Sequence, residues 1–315
     1  MLLLERLVKR AGEFQRIGLS ATVGEPEIAA KFLFGSREHR IVSVDVSKRL
    51  DLKVELPKPT DLDLKVSKEL SLDPPVTARI RRILELSLTS RKTLTFTNSR
   101  SATEFLASKL KAISSTKSIS AHHGSIARDI RVEIESNFKY GAIKNVVATS
   151  SLQLGIDIGA IDLVIQFGSP RTIVNLLQRV GRAGHTFKGI ARGVLIAEHP
   201  LDAIECIAIA KLAKSKVLEK PRVYKAPMDI LALQILGETL YSNCVSIESL
   251  LSMLRKIYIY SSISREDLQV LLNLLKKLKL IRIIGDKVCK SPRAWKLYYA
   301  NLSIISEREE VAIVN

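Results

Sequence analysis

The sequence predicts an α/β protein: a parallel sheet fills most of its first two thirds, and a mostly α-helical domain follows. Three observations lead there. Short β-like runs alternate with amphipathic helical patterns through the first two hundred residues. Several of those runs, such as "IKNVVAT" (143–149) and "DLVIQFG" (162–168), are continuously apolar, as strands covered on both faces must be. After about residue 220 the strand-like runs give way to helical patterns and one hairpin.

Taken in order, residues 45–75 stand apart. They hold four of the ten prolines and alternate charge with Leu and Val, which reads as an extended linker and the first strands of the next domain. "KTLTFTN" (92–98) is a strand, and "SATEFLASKLKAI" (101–113) is the amphipathic helix after it. "SISAHH" (118–123) and "IARDIRVEIESNFKYG" (126–141) repeat the pair. Two apolar strands, the helical "RTIVNLLQRVG" and the strand "GVLIAE" (193–198) complete a series whose function belongs at the carboxyl ends of its strands. Beyond "VLEKPRVYKAP", three helices follow: "MDILALQILGETLY", "SIESLLSMLRKIY" and "SREDLQVLLNLLKKLKL". The last two open on a serine with an acidic residue close behind, a helix-start signal. "LIRIIGDKVCKS" turns at Gly285-Asp286 as a hairpin, and three helices with a hairpin make a winged helix. Expected boundaries are 1–55, 56–220 and 221–315.

The 315 residues carry 49 Lys and Arg against 32 Asp and Glu, a formal charge of +17 that attracts polyanions. A Lys-rich solvated surface is the bland alternative. Cys206, Cys244 and Cys289 lie about forty residues apart, a spacing of neither a disulfide framework nor a zinc knuckle, so a reducing cytosol is expected. No apolar run reaches a membrane span or a signal-peptide core. A cytoplasmic, nucleoid-associated protein is expected, with no metal site and no membrane partner.

Four short segments carry chemistry through their order: "GLSATVGEPE" (18–27), "AHHGSIARDIR" (121–131), "VVATSSLQLGIDIGAIDLVIQFGSP" (146–170) and "QRVGRAGH" (178–185). Alone, Ser20-Ala21-Thr22 fits any loop, Asp157 reads equally as a turn cap, and Thr149 as plain strand chemistry. "QRVGRAGH" is more specific. Arginines among small residues at a helix end let a guanidinium reach a phosphate, and a structural salt bridge would not need Gly181 and Gly184.

Together these segments resemble the second half of a superfamily 2 helicase, and more narrowly the large helicase-related (Lhr) family of archaea and bacteria. "VVATSSLQLGID" with "GSPRTIVNLLQRVGRAGH" is close to that family's signature, as are the final His of the latter, "APMDILALQILG" and "LYYANLSIIS". The resemblance implies a RecA-like sheet followed by a winged helix. It implies that Ser20, Ala21 and Thr22 couple hydrolysis to movement. It places Thr97, Arg100, Gly124, Ser125, Arg128 and Thr149 on the nucleic-acid track, and Gly155 and Asp157 at the nucleotide. Gln178, Arg179, Arg182 and His185 fall in motif VI, with Arg182 the arginine finger and His185 in the second finger's place. Gln153 stands where an acidic residue is expected, a departure expected to matter little. Lys276, Lys277 and Lys279 on the third late helix are candidate DNA contacts, or a solvated helix face.

In this family ATP lies between two RecA-like domains. The first brings the G-x-x-x-x-G-K-[ST] loop and an acidic metal-binding box; Gly-Lys occurs nowhere in this sequence, nor does Asp-Glu. The resemblance places the start of the sequence late in the first domain. ATP and Mg2+ are therefore expected only in complex with a P-loop-bearing polypeptide that carries the first RecA-like domain, which would also cover the apolar faces of residues 1–45. Single-stranded or branched DNA, or an RNA–DNA hybrid, is the expected substrate, with 3′-to-5′ movement and DNA repair implied by the family. The alternatives are a non-catalytic nucleic-acid-binding module and an inactive truncated fragment.

Overall fold

The computed structural model describes residues 1–315 except 21, 45–48, 115–117, 154–155, 185–188 and 302–315. The chain opens with helices α1 (Leu2–Ala11) and α2 (Pro26–Phe34), then strand β1 (Arg49–Glu55) and helices α3 (Asp61–Leu70) and α4 (Pro74–Leu88). Strand and helix then alternate through β2 (Thr93–Phe96), α5 (Arg100–Ile113), β3 (Ile119–His122), α6 (Arg128–Tyr140) and β4 (Asn145–Ala148). A 3-10 turn, Ser150–Leu152, leads to β5 (Leu163–Phe167), α7 (Ile173–Val180), β6 (Ile190–Ile196) and α8 (Pro200–Lys214). The remainder comprises α9 (Met228–Ser242), β7 (Cys244–Ser246), α10 (Ile247–Arg255), α11 (Arg265–Lys277), β8 (Ile281–Ile284), β9 (Lys287–Lys290) and α12 (Pro292–Ala300).

Two compact units result. The larger comprises 22–24 and the described residues of 43–220, and is built on a six-stranded sheet in the order β1-β6-β5-β2-β4-β3, parallel throughout. Its strands alternate between two helix layers. Leu94, Phe96, Val146, Ala148, Val164 and Leu195 face a core shared with α6, α7 and α8. Val147, Ile165, Val194 and Ile196 face the opposite core, with Ile80 and Ile83 of α4 and Leu106 and Leu110 of α5. Both faces are covered, which is why the strand runs are apolar without a polar alternation. Within the stretch read as linker and first strands, residues 49–55 form an edge strand pairing with β6, as expected of a first strand, whereas 61–70 form a helix, α3, opened by a Thr60–Asp63 capping box. Pro57 and Pro59 only separate the two.

The smaller unit gathers 1–20, 25–42 and the described residues from 221. Residues 1–55 thus do not form one piece. Leu2 enters the core built by α9, α10 and α11, and Arg6 of α1 bonds Glu238 Oε2 and Gln234 Oε1, each at 2.9 Å. Burial alone would raise the Glu238 carboxyl, but Arg6, Lys9 and Arg10 hold it below its usual range. Glu5, also buried, pairs with Arg16 and Arg37. Part of the apolar surface expected to need an outside partner is therefore covered from within the chain; Leu3, Leu7, Ile17 and Leu19 stay exposed.

The three helices and hairpin expected after residue 220 are present, with one addition. Strand β7 pairs antiparallel with β9, making a three-stranded sheet in the order β7-β9-β8. That pairing sets Cys244 opposite Cys289, with Cα atoms 4.0 Å apart, and the two form a disulfide. The spacing argument against a disulfide fails because ladder pairing, not distance along the chain, brings the two cysteines together. Cys206 remains a free, buried thiol, its pKa pushed up to about 12 chiefly by burial.

Candidate functional site

The carboxyl ends of β2, β4 and β5, with the segments that follow them and helix α7, converge on one polar cluster in the larger unit. Its centre is Arg179. This side chain is 5% exposed, and α7 directs it under the sheet edge because Ile173, Leu176 and Val180 fix the apolar face of that helix in the core. Arg179 Nη1 donates to Gln166 Oε1 at 2.7 Å and Asn98 Oδ1 at 3.1 Å, and Nε to Gln153 Oε1 at 3.3 Å. Its guanidinium lies over the Phe96 ring, 5.4 Å from the centroid. Every one of these acceptors is a neutral amide, and burial lowers the guanidinium to about 10. Gln153 therefore matters more than expected: an acidic residue at that position would face Arg179, and the amide leaves the arginine without that counter-charge.

The cluster extends outward from Gln153. Its Nε2 donates to Asn175 Oδ1 at 3.1 Å and to Gln178 Oε1, and Gln178 Nε2 in turn donates to Thr22 Oγ1 at 3.1 Å. Thr22, Gln178, Gln153 and Arg179 thus form a continuous hydrogen-bonded chain. Sequence reasoning placed Thr22, Gln178 and Arg179 in motifs, and Asn98 within the 97–100 motif IV stretch, but missed Gln166, Asn175 and the central role of Gln153. Uncharged amides beside a motif arginine were the available signal.

Arg182 lies one turn further on. Residues 181–184 leave α7 and return to the segment leading into β5: Ala183 bridges Ile161, and Gly184 N donates to Ile161 O at 3.2 Å. Gly184 has φ +69°, and a Cβ there would meet Ile190 O at 2.8 Å. This glycine is required by the backbone's own path, not by clearance for a phosphate. The turn aims Arg182 at two backbone carbonyls, with Nε donating to Gln153 O at 3.0 Å and Nη1 to Ile156 O at 2.9 Å. Nη2 has no partner among the described residues, and burial lowers the group from its ordinary value.

The remaining expected residues are dispersed. Thr97 is 1% exposed and its hydroxyl is taken by Thr103 Oγ1 at 2.7 Å, so it positions α5 and cannot touch a phosphate as placed. Arg100 and Arg128 are exposed at the first positions of α5 and α6, and Gly124 and Ser125 are exposed on the loop between β3 and α6. Thr149 is half-buried; its N–H donates to His122 O at 3.2 Å. Asp157 is exposed, pairs with Lys139 Nζ at 2.7 Å and accepts from Gly159 N, the turn-cap role. Ser20 is exposed and belongs to the smaller unit. Lys276, Lys277 and Lys279 are exposed around the carboxyl end of α11, where the helix dipole favours cations. Ala21, Gly155 and His185 lie outside the described residues.

His122, at the end of the strand expected over 118–123, ties two of these loops together. It is buried, with Nδ1 2.8 Å from Ser151 Oγ and Nε2 2.8 Å from Glu135 Oε1. It thereby fixes the loop carrying Thr149 to the start of the β3–α6 loop. Burial lowers its pKa and outweighs the opposing pull of Glu135. Among the described residues no group of three His, Cys, Asp or Glu could hold a metal ion, and no helix is long and apolar enough to cross a membrane.

A parallel sheet covered on both faces by helices is the architecture of the C-terminal motor domain of a superfamily 2 helicase. Residues 76–186 match the helicase conserved C-terminal domain. The chain is 37% identical over its whole length to the ATP-dependent helicase Lhr-Core of Saccharolobus solfataricus, and 35% identical over 99% of its length to ATP-dependent helicase Lhr-Core protein 2 of Thermococcus barophilus. It spans 37% and 38% of those relatives, respectively. It superposes with a TM-score of 0.85 and 33% identity on Mycobacterium smegmatis helicase Lhr, solved bound to ssDNA and AMP-PNP, covering 98% of this chain and 41% of that one. The DNA-bound DUF1998 helicase MrfA shares the fold, with a TM-score of 0.67 at 20% identity over 94% of this chain and 38% of that one. The chain belongs to the Lhr family, of which it represents a portion containing the helicase C-terminal domain.

Proposed function

We propose that the larger unit is the second motor domain of an Lhr-type helicase and that the smaller unit carries a winged-helix nucleic-acid-binding element. Together they couple ATP hydrolysis to 3′-to-5′ movement on single-stranded nucleic acid, on branched DNA or an RNA–DNA hybrid. The observation that carries this reading is the hydrogen-bonded chain from Thr22 through Gln178 and Gln153 to Arg179, with Arg182 beside it at the carboxyl edge of the sheet. It joins the residues a motor uses to sense nucleotide to those that hold its own loops.

The residues present fit one side of a nucleotide only. Arg182 offers an unpartnered guanidinium N–H, while neither a Gly-Lys loop nor an Asp-Glu pair occurs in the sequence. Bound ATP supplies the γ-phosphoryl group, with Mg2+ neutralising its charge. A P-loop and acidic box from outside these 315 residues would bind that side. Arg182 would then leave its two backbone carbonyls to stabilise charge on the phosphoryl oxygens, with His185 as second finger. Arg100, Gly124, Ser125 and Arg128 lie at helix starts and a loop whose N–H groups and guanidiniums suit phosphates, which position the strand without reading its sequence.

The test is an ATPase assay of this chain with and without an added P-loop-bearing RecA-like domain, in the presence of single-stranded DNA. Negligible turnover alone and DNA-dependent turnover in the mixture are expected. Arg182→Ala should reduce that turnover by about 10³–10⁵ and leave DNA binding nearly intact. Unchanged turnover in Arg182→Ala refutes the finger.

A further inference from the structure

We infer that Trp295 and Tyr299 of α12 form a nucleobase-stacking platform for single-stranded nucleic acid, separate from the phosphate-binding loops of the sheet. This rests on the nucleic-acid reading above and adds a contact to it. Helix α12 is anchored from its inner face. Ala294 is fully buried, and Tyr298 packs so closely on α9 that a Cβ on Gly237 would lie 2.5 Å from its ring. Ser291, just before the helix, donates its hydroxyl to Lys279 O at 2.7 Å. At 100° per residue, this fixing turns Trp295 and Tyr299 outward on one face, four residues apart. They are 61% and 50% exposed, and their ring centroids lie 4.5 Å apart. Two large aromatic rings on a rigid helix, left in water, are the feature to explain.

Charge selects the occupant. Lys296 follows Trp295 on the helix and Arg293 precedes it; Lys287 and Lys290 lie on the strand leading into the helix. All four are exposed, and none pairs with a carboxylate among the described residues. Asp286 is the one acidic residue between Lys276 and Asn301, and Arg265 already holds it at 3.1 Å. Exposed aromatic rings on a segment that carries four unpaired cations and one already-paired acid suit a strand whose bases stack and whose phosphates meet the cations. An apolar protein surface would leave those cations unpaired and partly desolvated.

Trp295 is the chain's single tryptophan, so its own fluorescence reports the contact. The experiment titrates the full chain with a labelled oligo-dT of about twelve nucleotides, within the span such sites cover. Label anisotropy and tryptophan emission are followed together, and the titration is repeated with an abasic oligomer of equal charge. We expect saturable quenching that tracks the anisotropy, and tighter binding of oligo-dT than of the abasic strand. Trp295→Ala, folded by circular dichroism, should weaken oligo-dT binding by about 5- to 150-fold and abolish the preference over the abasic strand. Binding by anisotropy with unquenched emission and an unaffected Trp295→Ala variant overturns the platform and leaves the motor reading standing. No binding of either oligomer overturns both. A self-association lost in Trp295→Ala, with DNA binding unchanged, assigns the face to a second copy and also overturns the platform.

Discussion

The disulfide between Cys244 and Cys289 gives the sharpest energetic prediction. It closes a loop of 45 residues that holds α10, α11 and β8. The chain-entropy relation assigns such a loop about 4 kcal/mol at 25 °C, because the cross-link removes freedom from the unfolded chain. For a unit of this size that corresponds to a fall in Tm of roughly 10–20 °C when the link is removed. The perturbations are the double variant Cys244→Ala/Cys289→Ala and mild reduction of the unaltered chain. Unfolding is followed by the emission of Trp295, which lies in the same unit. Denatured, unreduced protein should show one reactive thiol, Cys206, and three after reduction. Three thiols without reduction, or a Tm unmoved when the link is cut, would refute the reasoning.

Two further outcomes bear on the site. Arg179→Met should destabilise the larger unit by about 1–3 kcal/mol in urea unfolding, because Gln166 Oε1, 1% exposed, would lose its guanidinium donor; an unchanged midpoint would show that the cluster is not holding the loops. Arg182→Ala, by contrast, leaves only two backbone carbonyls at a half-buried position and should shift that midpoint little. The His122 prediction concerns pH. Its folded pKa lies below the unfolded 6.5, so the neutral form is favoured in the fold. Stability is therefore fully present above about pH 6.5 and falls as pH drops below it, since the unfolded chain takes up the proton first. His122→Gln should flatten the unfolding free energy of the larger unit over that range, and an undiminished slope would assign it to other groups.

Much of this protein was legible in its sequence, for local reasons. Continuous apolar runs specified strands covered on both faces, and serine starts marked two late helices. The order of four short segments identified the family, because those segments are contiguous and do not need tertiary structure to be read. What the sequence could not show were relations between distant residues. It read 45–75 as an extended linker and first strands from its prolines; β1 is such a strand, but its partner β6 and the helix α3 with its capping box were not legible there. It set the start of the chain apart, whereas the ion pair between Arg6 and Glu238, 232 residues away, holds it to the smaller unit. It took Gly184 as room for a ligand, where backbone contact with Ile190 decides. It read Cys244 and Cys289 as separate thiols and Gln153 as a minor departure. Only pairing across a sheet and convergence around a buried arginine turn those residues into a cross-link and a hub. Composition and local motif fix which chemistry is present; packing decides which side chains meet, because burial and hydrogen-bond partners are properties of the folded chain.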